Sequence, residues 1–170
     1  MNQNFWNKAA IYGILLALIT IFFTVLQTVL PTSSKMLGFV LWAVKLAGTL
    51  GLLFYVMKAY GKEKETYTYS DAFKFGLAIS FCSSLIAAGY YYLHIMFLFP
   101  DFISQFTDAL YMGLEQAGAT NTDINIDKLL DRMPVIVTVF QLIYFNILGL
   151  LWSSILANGT RHKVNVTPFD

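Results

Sequence analysis

Four stretches of this chain are almost free of ionisable side chains, and no other feature restricts its fold as strongly. Residues 9–34, 75–100 and 133–160 contain no Asp, Glu, Lys or Arg, and residues 36–57 contain one, Lys45. A helix needs about 20 predominantly apolar residues to cross the hydrocarbon core of a bilayer. All four stretches meet that length. Inside lipid every backbone N–H and C=O must be satisfied internally, which leaves helices and closed barrels. Barrel strands are short and alternate in polarity, and these stretches do neither. Buried helices of a soluble protein would keep a polar face, and none is present. The composition agrees: 57% of the residues are hydrophobic and 12% are charged, against about 25% charged in soluble domains. The expected fold is all-α, a single domain of 170 residues built as a four-transmembrane-helix bundle with an amphipathic helical segment between helices 3 and 4.

The first stretch reads as a span and not as a cleaved leader. It exceeds the roughly 7–15 residues of a signal-peptide core, and no Ala-x-Ala site follows. Helix 1 is expected from about residue 6 to residue 30. Trp6 and Lys8 suit the headgroup level, and Pro31 cannot continue the backbone hydrogen bonding. The short link at residues 31–35 makes helices 1 and 2 antiparallel neighbours. Helix 2 is expected over 36–57, followed by a charged, wet loop from Lys58 to Glu65. Helix 3 is expected over about 71–99, with Ser70 as N-cap and Asp71 favouring the positive helix end. Helix 4 is expected over 134–156, with Pro134 either in its first turn or at a bend.

Residues 101–133 differ in kind. They carry Asp101, Asp108, Glu115, Asp123, Asp127 and Asp131 against Lys128 and Arg132. Phe102, Phe106, Leu110 and Leu114 recur every four residues, the signature of an amphipathic helix lying on the membrane or on the end of the bundle. Residues 118–121 read as a break. A second short helix is expected from Asp123 to Met133, with Ile126, Leu129, Leu130 and Met133 inward.

Basic residues set the orientation. Lys8, Lys58, Lys62, Lys64, Lys74, Arg161 and Lys163 fall on one side, and Lys35, Lys128 and Arg132 on the other. The first side is expected to be cytoplasmic, so both termini face in and residues 101–133 face out. The sequons at Asn158 and Asn165 then lie on the inside, where glycosylation is not expected.

Two segments carry a family resemblance. One is Tyr69-Ser70-Asp71-Ala72-Phe73-Lys74-Phe75-Gly76, entering a membrane helix. The other is Tyr90-Tyr91-Tyr92 leading to Phe99-Pro100-Asp101. With the helix count and spacing, they resemble domain-of-unknown-function family 4199, small membrane proteins found mainly in Bacteroidetes, over about residues 5–160. The resemblance implies a bacterial inner-membrane location. It implies no activity, and no functional residue is carried over.

Lys45 is the residue that most invites a functional reading. A lysine at the centre of a membrane helix costs about 2.5–3.5 kcal/mol on translocon scales. It lies eight residues from Leu37, roughly 12 Å at the helical rise. The same depth falls between Thr20 and Thr24 on helix 1, at Tyr90 and Tyr91 on helix 3, and beside Gln141 on helix 4. No span contains a carboxylate. The expectation is therefore a hydrogen-bonded polar cluster of Lys45, Thr20, Thr24, Tyr90, Tyr91 and Gln141, and not a buried ion pair. Its role is open between helix packing or snorkelling and an ion, proton or anionic-ligand site.

Other candidates are weaker. Thr20, Thr24, Gln27 and Thr28 form a polar stripe expected to face the bundle. Gly76, Ser80, Ser84 and Ala88 on helix 3, and Gly149, Ser153 and Ala157 on helix 4, are small residues at the spacing that lets helix backbones meet. That meeting is either within the chain or between copies. Cys82 is a lone cysteine and reads as a small buried residue. His94 and His162 lie on opposite sides, so no shared metal site is expected. Metalloprotease, serine-hydrolase and P-loop motifs are absent, and a net charge of +1 gives no case for nucleic acid. No cofactor is expected. The function classes left are a non-catalytic membrane subunit or assembly protein, and a small transporter or ligand-binding bundle organised around Lys45. The partners expected are the lipid bilayer and either another membrane protein or a homo-oligomer.

Overall fold

A computed structural model describes residues 3–30, 35–116 and 126–161. Among them the chain is all-α: α1 (Gln3–Val29), α2 (Lys35–Lys62), α3 (Tyr69–Leu93), a π-helical turn (His94–Leu98), α4 (Asp101–Gln116) and α5 (Ile126–Thr160). Four helices are long and apolar enough to cross a membrane: Asn4–Val29, Met36–Lys62, Tyr69–Leu98 and Leu130–Thr160. These are the four spans expected from the uncharged stretches.

The helix ends differ from those expected, for one physical reason. Hydropathy marks where a helix leaves hydrocarbon, whereas a helix continues into the polar interface while its backbone bonds persist. So α2 runs to Lys62, and Lys58 to Lys62 is helix instead of loop. Likewise α5 runs to Thr160. The cap of α3 is also corrected. Thr68, not Ser70, precedes the first turn. Its Oγ1 accepts from the Asp71 N–H at 3.2 Å, and Asp71 Oδ2 accepts from the Thr68 N–H at 3.2 Å. This is a reciprocal capping box with aspartate in the position usually held by glutamate. The expected short helix at 123–133 and helix 4 are one helix: α5 passes through Pro134. Proline takes away one backbone donor there, and the ring is accommodated within the helix. Pro31, the break at 118–121, and Asp123 lie outside the described residues.

The chain divides into two compact units. The first contains α1, α2, α3 up to Ala87 and α5 from Tyr144. Its four helical pieces form a bundle with α3 at the most buried position. Ala72, Phe75, Ala78, Ile79, Ser80, Ser83, Ser84 and Ala87 of α3 are all buried. On α1 the buried residues Ala9, Leu16, Ala17, Thr20 and Thr24 follow the three-to-four spacing of one helix face. Lys8 pairs with Glu63 just beyond α2, and Lys45 near the start of α2 meets Thr24 near the end of α1, so α1 and α2 are antiparallel neighbours.

The small residues are where helices meet. A Cβ added at Gly13 of α1 would lie 2.6 Å from Cys82 Cβ and 3.0 Å from Ile79 O. One added at Gly76 would lie 2.8 Å from Ser153 Oγ and 2.9 Å from Met57 Sδ, and one at Gly149 would overlap Ser80. The stripes on α3 and α5 thus pack against each other within the chain, and Cys82 is half-buried against α1.

The end of this unit near Phe5 is sealed by aromatics. Tyr60 stacks on Phe75 with centroids 3.7 Å apart, and Phe5 meets Phe75 edge-on at 5.6 Å. Tyr67, fully buried, lies against Gly61, where a Cβ would come within 2.5 Å of its ring. Lys64 Nζ sits 4.8 Å from the Tyr60 centroid.

The second unit spans Ala88–Ile143. In it α3 ends in the π-helical turn, where the Phe99 N–H donates to His94 O at 2.8 Å. Pro100 and Asp101 then start α4, and Ser104 Oγ donates back to Asp101 O at 2.8 Å. Helix α4 packs next to the π-helical turn. It is the amphipathic helix expected from residues 101–116; the side chains of Phe102, Phe106, Leu110 and Leu114 lie outside the description.

Candidate functional site

The polar groups of α1 are positioned by their own helix. Thr20 Oγ1 donates to Leu16 O at 3.1 Å, Thr24 Oγ1 to Thr20 O at 2.8 Å, and Thr28 Oγ1 to Thr24 O at 2.9 Å. This back-bonding to the carbonyl four residues earlier satisfies a hydroxyl hydrogen without a partner helix. The oxygen lone pairs stay usable. Thr24 uses one of them: Lys45 Nζ donates to Thr24 Oγ1 at 3.3 Å. A short polar relay results, from Lys45 through Thr24 to the Thr20 carbonyl. Thr20 and Thr24 are buried, and Lys45 is half-buried.

On α1, then, Lys45 meets Thr24, one of the two threonines at its expected depth. Of the six residues expected to cluster, the structure brings Lys45, Thr24 and Thr20 together in the first unit. Tyr90, Tyr91 and Gln141 belong to the second. There Tyr90 Oη lies 3.0 Å from His94 Nδ1, and the His94 ring approaches Tyr91 and Phe99 at centroid distances of 6.1 and 4.7 Å. His94 is buried in the π-helical turn. Gln141 is half-buried on α5.

Two features escaped the sequence reading. Asn146 Nδ2 of α5 donates to Ser84 Oγ of α3 at 2.8 Å, and Ser84 Oγ donates in turn to Phe81 O at 2.8 Å. An asparagine in an uncharged span is a signal that could have found this contact, because an amide cannot be left unbonded in lipid. The other feature is on α2. None of residues 36–50 is buried. Gly48 and Gly51 have no atom within 4 Å of an added Cβ, unlike Gly13, Gly76 and Gly149. Ala43, Ala47 and Gly51, spaced by four, could have drawn attention to this face.

A family model described as protein of unknown function (DUF4199) matches residues 9–158. The chain belongs to the DUF4199 family. No curated protein and no solved structure matches it. In this DUF4199 chain the Tyr69–Gly76 segment holds the capped start of α3, the buried Phe75 and the Gly76 contact with α5. Its Tyr90–Asp101 segment holds the His94 turn and the start of α4. Among the described residues no group of three or more His, Cys, Asp or Glu side chains is placed to hold a metal ion.

Proposed function

We propose that this DUF4199 chain is a non-catalytic, multi-pass subunit or assembly and interaction protein of the bacterial inner membrane, with both termini cytoplasmic. The observation that carries this reading is the way α3 is packed. Gly13 against Cys82, Gly76 against Ser153 and Gly149 against Ser80 bring α1, α3 and α5 together at backbone-to-side-chain distance. A first unit close-packed at those levels favours a scaffold over a permeation path. The unburied N-terminal half of α2, with Phe39 and Trp42 stacked 5.8 Å apart on the surface, leaves a face for other membrane components. The seven-to-three distribution of basic residues supports the orientation.

Gentle solubilisation of native membranes, followed by identification of what co-purifies, tests the role. A stoichiometric membrane partner is the expected result, and a lone monomeric chain would overturn it. Reporters fused near Thr120 test the orientation: one that works only outside the cytoplasm should be active there, and activity of a cytoplasm-only reporter would reverse the topology. A second reading, a small transporter or ligand-binding bundle, is favoured by the Lys45–Thr24 contact alone. Lys45-dependent binding of an anion to a partner-free preparation would select it.

A further inference from the structure

We propose that Lys45 and the open N-terminal half of α2 dock a transmembrane helix of a different protein, one carrying a carboxylate near the middle of its span. The inference rests on the interaction reading above and names the partner's chemistry. Lys45 lies ten residues inside the start of α2 at Lys35, about 15 Å along the axis at the helical rise. That places its backbone close to the middle of a hydrocarbon core about 30 Å thick, and its ammonium reaches Thr24, five residues short of the end of α1 at Val29 and still inside the span.

An ammonium group has three donors and no acceptor. Thr24 Oγ1 takes one of them, and Lys45 has no other partner among the described residues. A hydroxyl cannot neutralise the charge. Nor does a second copy of the chain offer a carboxylate at that depth, because the acids within the spans, Asp71 and Asp131, lie at the first turns of theirs. Charged groups inside a membrane pair with one another or with backbone carbonyls, or face water, and among the described residues Lys45 has neither a counter-charge nor a carbonyl partner. Charge complementarity therefore points to a carboxylate supplied at this depth by another protein.

The surface beside Lys45 fits a helix. Gly48, one turn on, and Gly51 are open where the chain's other helix-contact glycines are filled. A partner backbone can approach closely at such positions. Val40 and Val44 are exposed alongside and supply apolar contact.

The test uses the full chain in neutral phosphatidylcholine vesicles. The probes are dansyl-labelled poly-leucine transmembrane peptides bearing a single central Glu or only Leu. Energy transfer from the chain's tryptophans reads association. The Glu peptide should bind roughly three- to tenfold more tightly than the Leu peptide, the range of one interhelical polar contact in lipid. The preference should vanish in Lys45→Met and persist in Lys45→Arg. Gly48→Leu, which fills the open position and leaves the charge in place, should weaken binding of both peptides. Equal binding of the two peptides to the wild-type chain would overturn the proposal, as would a preference that survives Lys45→Met or binding indifferent to Gly48→Leu. Lys45-dependent transfer between differently labelled copies of the chain would also overturn it, by assigning the face to a second copy. A native partner that co-purifies equally with wild type and Lys45→Met would refute the carboxylate while leaving the subunit role standing. A chain solubilised alone would refute that role, independently of the peptide result.

Discussion

Gly76→Ala reads the packing of the buried helix α3 directly. The new methyl would lie 2.8 Å from Ser153 Oγ, 3.0 Å from Ser153 Cβ and 2.9 Å from Met57 Sδ, where carbon atoms rest comfortably at about 3.5–4.0 Å. Ser153 and Met57 are both fully buried, so neither has free space to move into. Overpacking of this kind costs about 1–3 kcal/mol. Alanine also gains up to about 1 kcal/mol of helix propensity over glycine, which would mask part of the loss in a single measurement. Gly48→Ala is the control, because it carries the same propensity gain with no atom within 4 Å of the added carbon. The two variants should therefore differ by the steric term alone. In a protein of this length 1 kcal/mol moves Tm by roughly 2–4 °C, so Gly76→Ala should melt roughly 2–12 °C below Gly48→Ala in the same detergent. Ser153→Gly removes two of the three offending atoms and should recover much of the loss in Gly76→Ala, a coupling that a double-mutant cycle measures. Equal melting temperatures for Gly76→Ala and Gly48→Ala, or additivity of Gly76→Ala with Ser153→Gly, would refute the close approach of α3 and α5.

Thr68→Ala opens the capping box with Asp71 and should cost about 1 kcal/mol, read as a lower Tm that Thr68→Ser restores. Thr24→Val keeps the shape and removes the acceptor of Lys45; the loss should be about 0.6–1.7 kcal/mol in the wild type and absent in a Lys45→Met background. Burial, then the neighbouring Tyr60 and Asp71, raise the Tyr67 phenol above its usual range. A raised folded-state pKa gives stability that is complete below the unfolded value, about 10, and is lost as pH climbs from there towards the folded value. Melting curves above pH 10 should therefore fall less steeply for Tyr67→Phe than for the wild type, and parallel curves would rule out this contribution.

How much of this was legible beforehand depended on which physical quantity each residue reports. Hydropathy reports hydrocarbon, and it located all four spans and the polarity of residues 101–116. It does not report helix ends, so the last turn of α2 at Lys58–Lys62 read as loop and the passage of α5 through Pro134 read as a boundary. Depth arithmetic reports level along the bilayer normal, and it placed Thr24 beside Lys45. It is silent on direction around the helix axis and searches only the level of Lys45, so Asn146, five residues from Gln141 on the same helix and bonded to Ser84, lay outside it. Small-residue spacing identified the faces of α3 and α5, yet spacing alone cannot distinguish a filled glycine from an open one. Gly76 and Gly48 look alike in sequence and differ only in what surrounds them.

The orientation of the helices is fixed by very few polar groups. The threonine hydroxyls of the spans, among them those of Thr20, Thr24, Thr28, Thr49 and Thr138, and that of Ser154 donate to carbonyls of their own helix. A threonine satisfied in this way tolerates a lipid-facing or a protein-facing position and says little about its neighbours. Lysine and asparagine carry more donors than a helix can absorb locally, so they have to reach across. Among the described residues of the first unit, Lys8 does so at the rim, where it pairs with Glu63, and two do so deeper in the spans: Asn146, which donates to Ser84, and Lys45, which donates to Thr24. Their situations differ in a way that matters for function. Asn146 is neutral, and its contact joins α5 to a helix packed through Gly76, Ser80 and Ser84. Lys45 is charged, its contact uses one of three donors, and it lies beside glycines that nothing fills. An amide in the first situation is explained by the stability of the chain itself. Among the described residues the other two donors and the charge of Lys45 have no such explanation, and on the docking proposal above they direct the search for function outward from the bundle.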